Sequence, residues 1–127
     1  MVSISEVMTD NVVYVDVDAT VEQATRAMRD SDIRHLPVLD QGEVVGILSD
    51  RDFRSTGSSG DQGGAKMSVA SLMNSDVQSV TQEDDLNDAI DLMIEHRIGA
   101  VPVVDVQTQA LVGIVSYIDV LKALRDR

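Results

Sequence analysis

A seven-residue pattern that joins a serine to an aspartate occurs twice in this chain. Glycine, two apolar residues, serine, two variable residues and aspartate follow one another over 46–52 and again over 113–119. The carboxylate of Asp52 or Asp119 could accept two hydrogen bonds from a vicinal diol such as that of ribose. The hydroxyl of Ser49 or Ser116 would lie where a strand meets a helix, and free backbone N–H groups there favour an anionic ligand. The pattern is therefore the best candidate for a binding site.

The same spacing has a purely structural interpretation. Ser-x-x-Asp is also a capping box, in which the two side chains hold the first turn of a helix and bind no ligand. Nothing in the sequence points to catalysis, because Ser49 has no evident base. His35 and His96 occupy different positions and the chain has no cysteine, so no metal site is expected either.

The two patterns belong to a longer internal repeat. The offset between matching residues is 65, and it becomes 67 after the turn that precedes the glycine of the pattern. The matching pairs include Met8 and Met73, Val15 and Val80, Ala24 and Ala89, Met28 and Met93, Ile33 and Ile98, and Pro37 and Pro102. Two copies are too few for an open solenoid, so we expect one closed pseudo-two-fold module with ligand sites in clefts between the copies.

Each copy predicts the same order of elements: a leading segment, a short strand, a helix, two strands joined by a turn, and a final helix. In the first copy these are Ile4–Thr9, Val12–Val15, a helix capped by Thr20 and Gln23 with Val21, Ala24 and Met28 on one face, Leu36–Leu39, and Val44–Leu48. In the second they are Val69–Asn74, Val77–Val80, a helix with the stripe Leu86, Ala89, Ile90, Met93 and Ile94, Val101–Val104, and Leu111–Val115.

Two further features complete the predicted organisation. Proline cannot donate to a ladder, so Pro37 and Pro102 should lie at a strand start or on an edge strand. A Gly/Ser-rich stretch separates the copies and predicts a flexible linker. The predicted boundaries are 1–54 for the first repeat, 55–66 for the linker and 67–127 for the second repeat.

The composition narrows the classes of protein and partner. Among 127 residues, 22 acidic and 10 basic side chains give a net charge of −12, which argues against nucleic acid as a partner. Asp outnumbers Glu by 17 to 5, an excess that favours a halophilic protein. No leader or apolar run of membrane-spanning length is present, so we expect a soluble cytoplasmic protein that does not bind membranes.

The ordered set of motifs resembles a tandem pair of cystathionine-β-synthase (CBS) domains. The matching residues are Val7-Met8-Thr9, the Ala24 and Met28 helix, 33–38 and 46–52, together with their counterparts 72–74, 98–103 and 113–119. The resemblance covers nearly the whole chain apart from the linker and the last residues. It implies an α/β (α+β) fold in which two β-α-β-β-α repeats pack through their sheets with pseudo-two-fold symmetry.

The resemblance also implies roles for individual residues at two sites. Ribose would be held by Ser49 and Asp52 at one site and by Ser116 and Asp119 at the other. The adenine pocket would contain Ile47, Met73, Gln78 and Ile98 at the Asp52 site, and Ile114, Met8, Val13 and Ile33 at the Asp119 site. Phosphate would be bound by Arg51 at the Asp52 site and by Arg34 at the Asp119 site, with His35 and Arg97 as weaker helpers.

On this basis we expect a stand-alone regulatory module and not an enzyme. It requires no cofactor and binds an adenosine nucleotide, with AMP or ADP favoured over ATP or S-adenosylmethionine. It would form a homodimer through the exposed faces of its final helices (Val120, Leu121, Leu124) and signal to an unknown protein partner. The alternative is a protein-interaction or scaffolding module whose clefts stay empty.

Overall fold

The computed structural model describes residues 2–57 and 66–126. Within those residues it contains five α-helices, one 3-10 turn and two three-stranded sheets, which confirms the predicted mixed α/β class. In chain order the elements are α1 (Ile4–Val7), β1 (Val15–Asp16), α2 (Val21–Ser31), β2 (His35–Asp40), β3 (Glu43–Ser49), α3 (Asp50–Gly57), the 3-10 turn (Val69–Ser71), β4 (Val80–Thr81), α4 (Leu86–His96), β5 (Ala100–Val104), β6 (Leu111–Ser116) and α5 (Tyr117–Asp126).

The chain divides into two compact units whose limits differ from those of the sequence copies. One unit consists of residues 13–77 and is called here the Asp52 unit. The other consists of residues 1–12 and 78–127 and is called the Asp119 unit. Each unit thus contains the leading segment of the other copy: α1 packs in the Asp119 unit, where Ile4 is fully buried, and Val69 is fully buried in the core of the Asp52 unit.

The two sheets have the same topology and the same irregularity. β1 runs parallel to β2, and β2 is antiparallel to β3; β4, β5 and β6 repeat this order. Residue Val45 is passed over in the pairing of β2 with β3, and Val112 in the pairing of β5 with β6, so each sheet has a β-bulge directly before its glycine. The first strands are shorter than predicted and begin at Val15 and Val80, because their parallel pairing covers only two residues of β2 or β5.

The predicted positions of the two prolines were wrong, because both lie inside the central strand of their sheet. Pro37 pairs with Ile47, whose own N–H and C=O bond Asn74 on the far side of β3. This pair therefore exchanges no hydrogen bonds, and the nitrogen of Pro37 points towards β1. Because β1 begins its pairing only at Val38, no ladder bond is lost there. Pro102 and Ile114 repeat this arrangement with Thr9.

The predicted helices are confirmed with one correction. Thr20 and Gln23 form the predicted capping box at the start of α2, and Asp85 caps α4. The buried faces are Val21, Ala24 and Met28 on α2, and Leu86, Ala89 and Met93 on α4. Ile94 was assigned wrongly to the core stripe, since its side chain is 71% exposed. Ile90, one turn earlier on α4, does pack against the core.

The final helix and the segment between the copies complete the fold. Leu121 and Leu124 are exposed on α5 as expected, but Val120 packs against the core of the Asp119 unit and is not part of an exposed face. Helix α3 continues to Gly57, and residues 58–65 of the predicted linker lie outside the described residues. Across residues 2–57 and 66–126, no helix has the length and apolar character needed to cross a membrane.

Candidate ligand-binding sites

Both Ser-x-x-Asp motifs lie at a direct strand–helix junction. β3 ends at Ser49 and α3 begins at the next residue, while β6 ends at Ser116 and α5 begins at Tyr117. All four motif side chains, Ser49, Asp52, Ser116 and Asp119, are half-buried. The junction turns the chain so that the serine is the cap and the aspartate is the third residue of the helix, which is the geometry of a capping box.

The aspartates hold the first turn of their helices. Asp52 Oδ2 accepts a hydrogen bond from the backbone N–H of Ser49 at 2.8 Å, and Asp119 Oδ2 accepts the equivalent bond from Ser116 at 2.9 Å. The capping interpretation is therefore correct as a description of the local structure. It does not exclude a ligand, because a carboxylate has about four lone-pair positions.

The hydroxyl groups distinguish the two motifs. Ser116 Oγ donates to Asp119 Oδ2 at 3.2 Å and accepts from the N–H of Asp119 at 3.3 Å, and the hydroxyl of Thr9 donates to Asp119 Oδ1 at 3.2 Å. For the hydroxyl of Ser49, the described part of the chain offers no hydrogen-bond partner. Thr9 was not predicted as a site residue; it directly follows Met8, as its counterpart Asn74 follows Met73.

Each glycine of the motif leaves room for the side chain of a methionine from the leading segment. A Cβ atom at Gly46 would overlap Met73 Sδ and lie 2.8 Å from its Cγ. A Cβ atom at Gly113 would lie 2.6 Å from Met8 Sδ and 3.1 Å from the carbonyl oxygen of Thr9. The backbones of Ile47 and Asn74 exchange hydrogen bonds beside the first contact. Each unit therefore contains one serine, one aspartate, one isoleucine and one methionine of the site that is named after its own aspartate.

The Asp52 unit also gathers charged side chains around its motif. Arg34 Nη1 lies 3.4 Å from Asp50 Oδ2 in an exposed ion pair, and Arg51 is exposed on the first turn of α3. His35 is half-buried and pairs with Ser49 across the sheet. Burial lowers the pKa of His35 below its ordinary value; Asp50 and Asp52 oppose this shift, whereas Arg34 and Arg51 reinforce it.

Several predicted site residues belong to different units. Gln78 and Ile98, assigned to the Asp52 site, lie in the Asp119 unit, and Val13, Ile33 and Arg34, assigned to the Asp119 site, lie in the Asp52 unit. All of these except Arg34 are half-buried. Their assignments stay predictions. In the described ranges 2–57 and 66–126, His, Asp and Glu form no group of three that could hold a metal ion.

Two copies of one sheet–helix unit, each with a capped serine–aspartate pair, define a protein built from a duplicated α/β domain. The family profile of the CBS domain matches residues 4–58 and 69–126. The chain therefore belongs to the CBS domain family and contains the domain twice.

The relatives agree with this assignment. The CBS domain-containing protein YhcV of Bacillus subtilis is 33% identical over 121 residues, which cover 94% of this chain and 83% of that protein. An uncharacterised 17.7 kDa protein of Acidianus ambivalens is 32% identical over 124 residues, which cover 97% and 73% of the two chains.

Among solved structures, the CBS domain pair of protein MJ0100 superposes with a TM-score of 0.87 over 99% of this chain and 98% of its own, at 20% identity. That pair was solved in complex with 5′-methylthioadenosine and S-adenosylmethionine. At this level of identity the likeness shows the fold alone.

Proposed function

We propose that this chain is a regulatory module that binds an adenosine nucleotide and communicates its bound state to a protein partner. The observation that carries the proposal is the hydroxyl of Ser49, which has no hydrogen-bond partner in the described part of the chain although it lies 3 residues from a capping aspartate. If Ser49 only capped the helix, its hydroxyl would bond Asp52 as the hydroxyl of Ser116 bonds Asp119. An open hydroxyl beside a carboxylate is the pair that a ribose diol needs.

The remaining parts of the site fit an adenosine ligand. In this proposal the ribose binds Ser49 and Asp52, while Ile47 and Met73 offer apolar surface to the adenine ring. Arg51 is exposed on the first turn of α3, where a phosphate would gain from both the guanidinium group and the helix N-terminus. The net charge of −12 disfavours a triphosphate, so AMP or ADP is the expected ligand. The ligands of the MJ0100 domain pair support an adenosine derivative.

Regulation requires that the ligand favour one state of the module over another. We propose that the module acts as a homodimer, because α5 exposes the large apolar side chains of Leu121 and Leu124. Light scattering coupled to size-exclusion chromatography tests this part, with Leu121→Asp and Leu124→Asp as the disrupting variants. A monomeric wild-type protein would contradict it.

Isothermal titration calorimetry with AMP, ADP, ATP and S-adenosylmethionine tests the ligand, in dilute buffer and in molar KCl. Asp52→Asn and Asp119→Asn keep an oxygen that can cap the helix but lose the charge and one acceptor. We expect each to weaken binding at its own site by at least about ten-fold, since hydrogen bonds to charged groups contribute strongly. Asp91→Asn, an exposed position on α4, is the matched control and should bind as the wild type does.

A scaffolding module with no bound nucleotide is the second candidate function. It is favoured by the Asp119 motif, whose hydroxyl and carboxylate satisfy each other without a ligand. Folded wild-type protein that gives no heat with any of the four ligands would support this candidate and contradict the nucleotide proposal.

A further inference from the structure

The two motifs lie in the same backbone setting but among different side chains. The N–H of Asp50 donates to the carbonyl of Arg34 at 3.0 Å, and the N–H of Tyr117 donates to the carbonyl of Gly99 at the same distance of 3.0 Å. These bonds join the first residue of α3 or α5 to the residue just before β2 or β5. Positions in the two units can therefore be matched one to one, independently of any ligand.

The matched positions beside the two motifs differ in charge. In the Asp52 unit they are Arg34, His35, Asp50 and Arg51; in the Asp119 unit they are Gly99, Ala100, Tyr117 and Ile118. The first set contains two guanidinium groups, an imidazole and one carboxylate, that of Asp50, which pairs with Arg34. The second set contains no ionic side chain, and its two large members, Tyr117 and Ile118, are 45% and 43% exposed.

A phosphate needs cations or free N–H donors, and an acidic protein repels it elsewhere. Arg34, which the sequence assigns to the Asp119 site, forms its ion pair with Asp50 inside the Asp52 unit. Around Asp119, the matched positions offer an aromatic ring and a branched aliphatic chain instead. Such surface gains free energy by covering an apolar substituent and supplies no cation to an anion.

We infer that the two sites bind different classes of adenosine derivative. This inference rests on the proposed function. The Asp52 site takes a phosphorylated nucleoside, and the Asp119 site takes an uncharged adenosine derivative with an apolar 5′ substituent, such as a thioether. Tyr117 and Ile118 are the specificity-determining residues of the second site, as Arg34 and Arg51 are of the first.

Titration of single-site variants with AMP and 5′-methylthioadenosine tests the inference. Asp119→Asn, which keeps the Asp52 site, should bind AMP at least about ten-fold more tightly than 5′-methylthioadenosine, as expected for a charge-assisted contact. Asp52→Asn, which keeps the Asp119 site, should show the opposite order. The same order of affinity in both variants would overturn the inference and leave the nucleotide-binding proposal intact. Absence of binding to folded wild-type protein would overturn both.

Exchange of one matched pair of residues provides a second test. Ile118→Arg in the Asp52→Asn protein should raise the affinity for AMP, and Arg51→Ile in the Asp119→Asn protein should lower it, each by about ten-fold. Both positions are exposed, so neither change disturbs the core, and thermal unfolding followed by circular dichroism checks this. An unchanged preference in both exchanged proteins would show that these residues do not determine specificity.

Discussion

The Asp52 and Asp119 units share their framework and differ at their sites. Both have a bulge, a glycine covered by a methionine, and a proline in the central strand. In the Asp119 unit, the motif serine and Thr9 both bond the aspartate. In the Asp52 unit, Arg34, His35 and Arg51 occupy positions next to the motif, whose serine hydroxyl forms no hydrogen bond with the described residues.

The contrast follows from packing. The framework positions are buried or in close contact, so one arrangement of side chains satisfies both sheets. Positions 34, 51, 117 and 118 around the motifs are exposed, so their side chains can differ without loss of the fold. A duplicated domain can therefore keep one backbone and acquire two chemistries.

The largest expected effects come from the framework. Gly46→Ala and Gly113→Ala should each lower the free energy of unfolding by about 1–3 kcal/mol, because the new methyl group overlaps a methionine side chain. Urea denaturation measures the loss. A second change that truncates the methionine should relieve the loss in both units.

Double-mutant cycles test this relief. Met73→Ala should remove most of the penalty of Gly46→Ala, since it deletes Sδ and Cγ and leaves only Cβ, at 3.1 Å from the new methyl group. Met8→Ala should relieve Gly113→Ala in the same way, since it deletes Sδ and Cγ and leaves the carbonyl oxygen of Thr9 at 3.1 Å. Additive losses in the first cycle would show that the methionine does not impose the glycine.

The motif serines should contribute unequally to stability. Ser116→Ala should cost about 1 kcal/mol, since it removes a hydroxyl that bonds both the carboxylate and the N–H of Asp119. Ser49→Ala should cost no more than about 0.3 kcal/mol but should weaken AMP binding, because its hydroxyl caps nothing in the described residues. Equal losses of stability, measured by urea denaturation, would contradict the comparison between the units.

The repeat made much of this fold predictable. A constant offset located both motifs, and the Thr20 capping box and the buried faces of the helices followed from residue type and spacing. The prolines were misplaced because a proline is excluded only where its missing N–H would have to bond a neighbouring strand. β1 is too short to reach Pro37, and the sequence does not show how far β1 extends. Ile94 was misplaced because an apolar stripe on a helix does not show which of its residues are covered by the rest of the protein.

The candidate site was predictable only in its local part. Ser49 and Asp52 were identified because their contact spans three residues. The contact of Thr9 with Asp119 spans 110 residues, and no spacing rule reaches that far. Likewise, the sequence does not show that the leading segment of each copy packs in the unit of the other copy. The apolar residues of a leading segment could be buried in either unit, so the choice depends on the tertiary fold.

Substitution of Thr9, which contacts Asp119 in one unit only, should have a smaller effect on stability and affinity. Three donors already bond the Asp119 carboxylate, which has about four lone-pair positions, and a ribose diol needs two of them. Thr9→Val in the Asp52→Asn protein should lower the free energy of unfolding by about 0.5 kcal/mol and raise the affinity for 5′-methylthioadenosine by about three-fold. Thr9→Ser keeps the hydroxyl and should match the parent protein. Identical affinities for the Val and Ser variants would show that Thr9 does not compete with the ligand.

The smallest expected effect concerns pH and depends on His35, whose counterpart is Ala100. Burial lowers the folded-state pKa of His35 below 6.5, its ordinary value, so below about pH 6.5 the unfolded chain binds more protons than the folded protein. The neutral ring therefore stabilises the fold above that pH, and this contribution is lost as the pH falls through the folded-state pKa. His35→Gln should flatten the pH dependence of urea denaturation between about pH 5 and about pH 7. His96→Gln, at an exposed position on α4, is the matched control. If both variants keep the wild-type slope, the burial of His35 does not couple its protonation to folding, and the contrast between the units is limited to ligand binding.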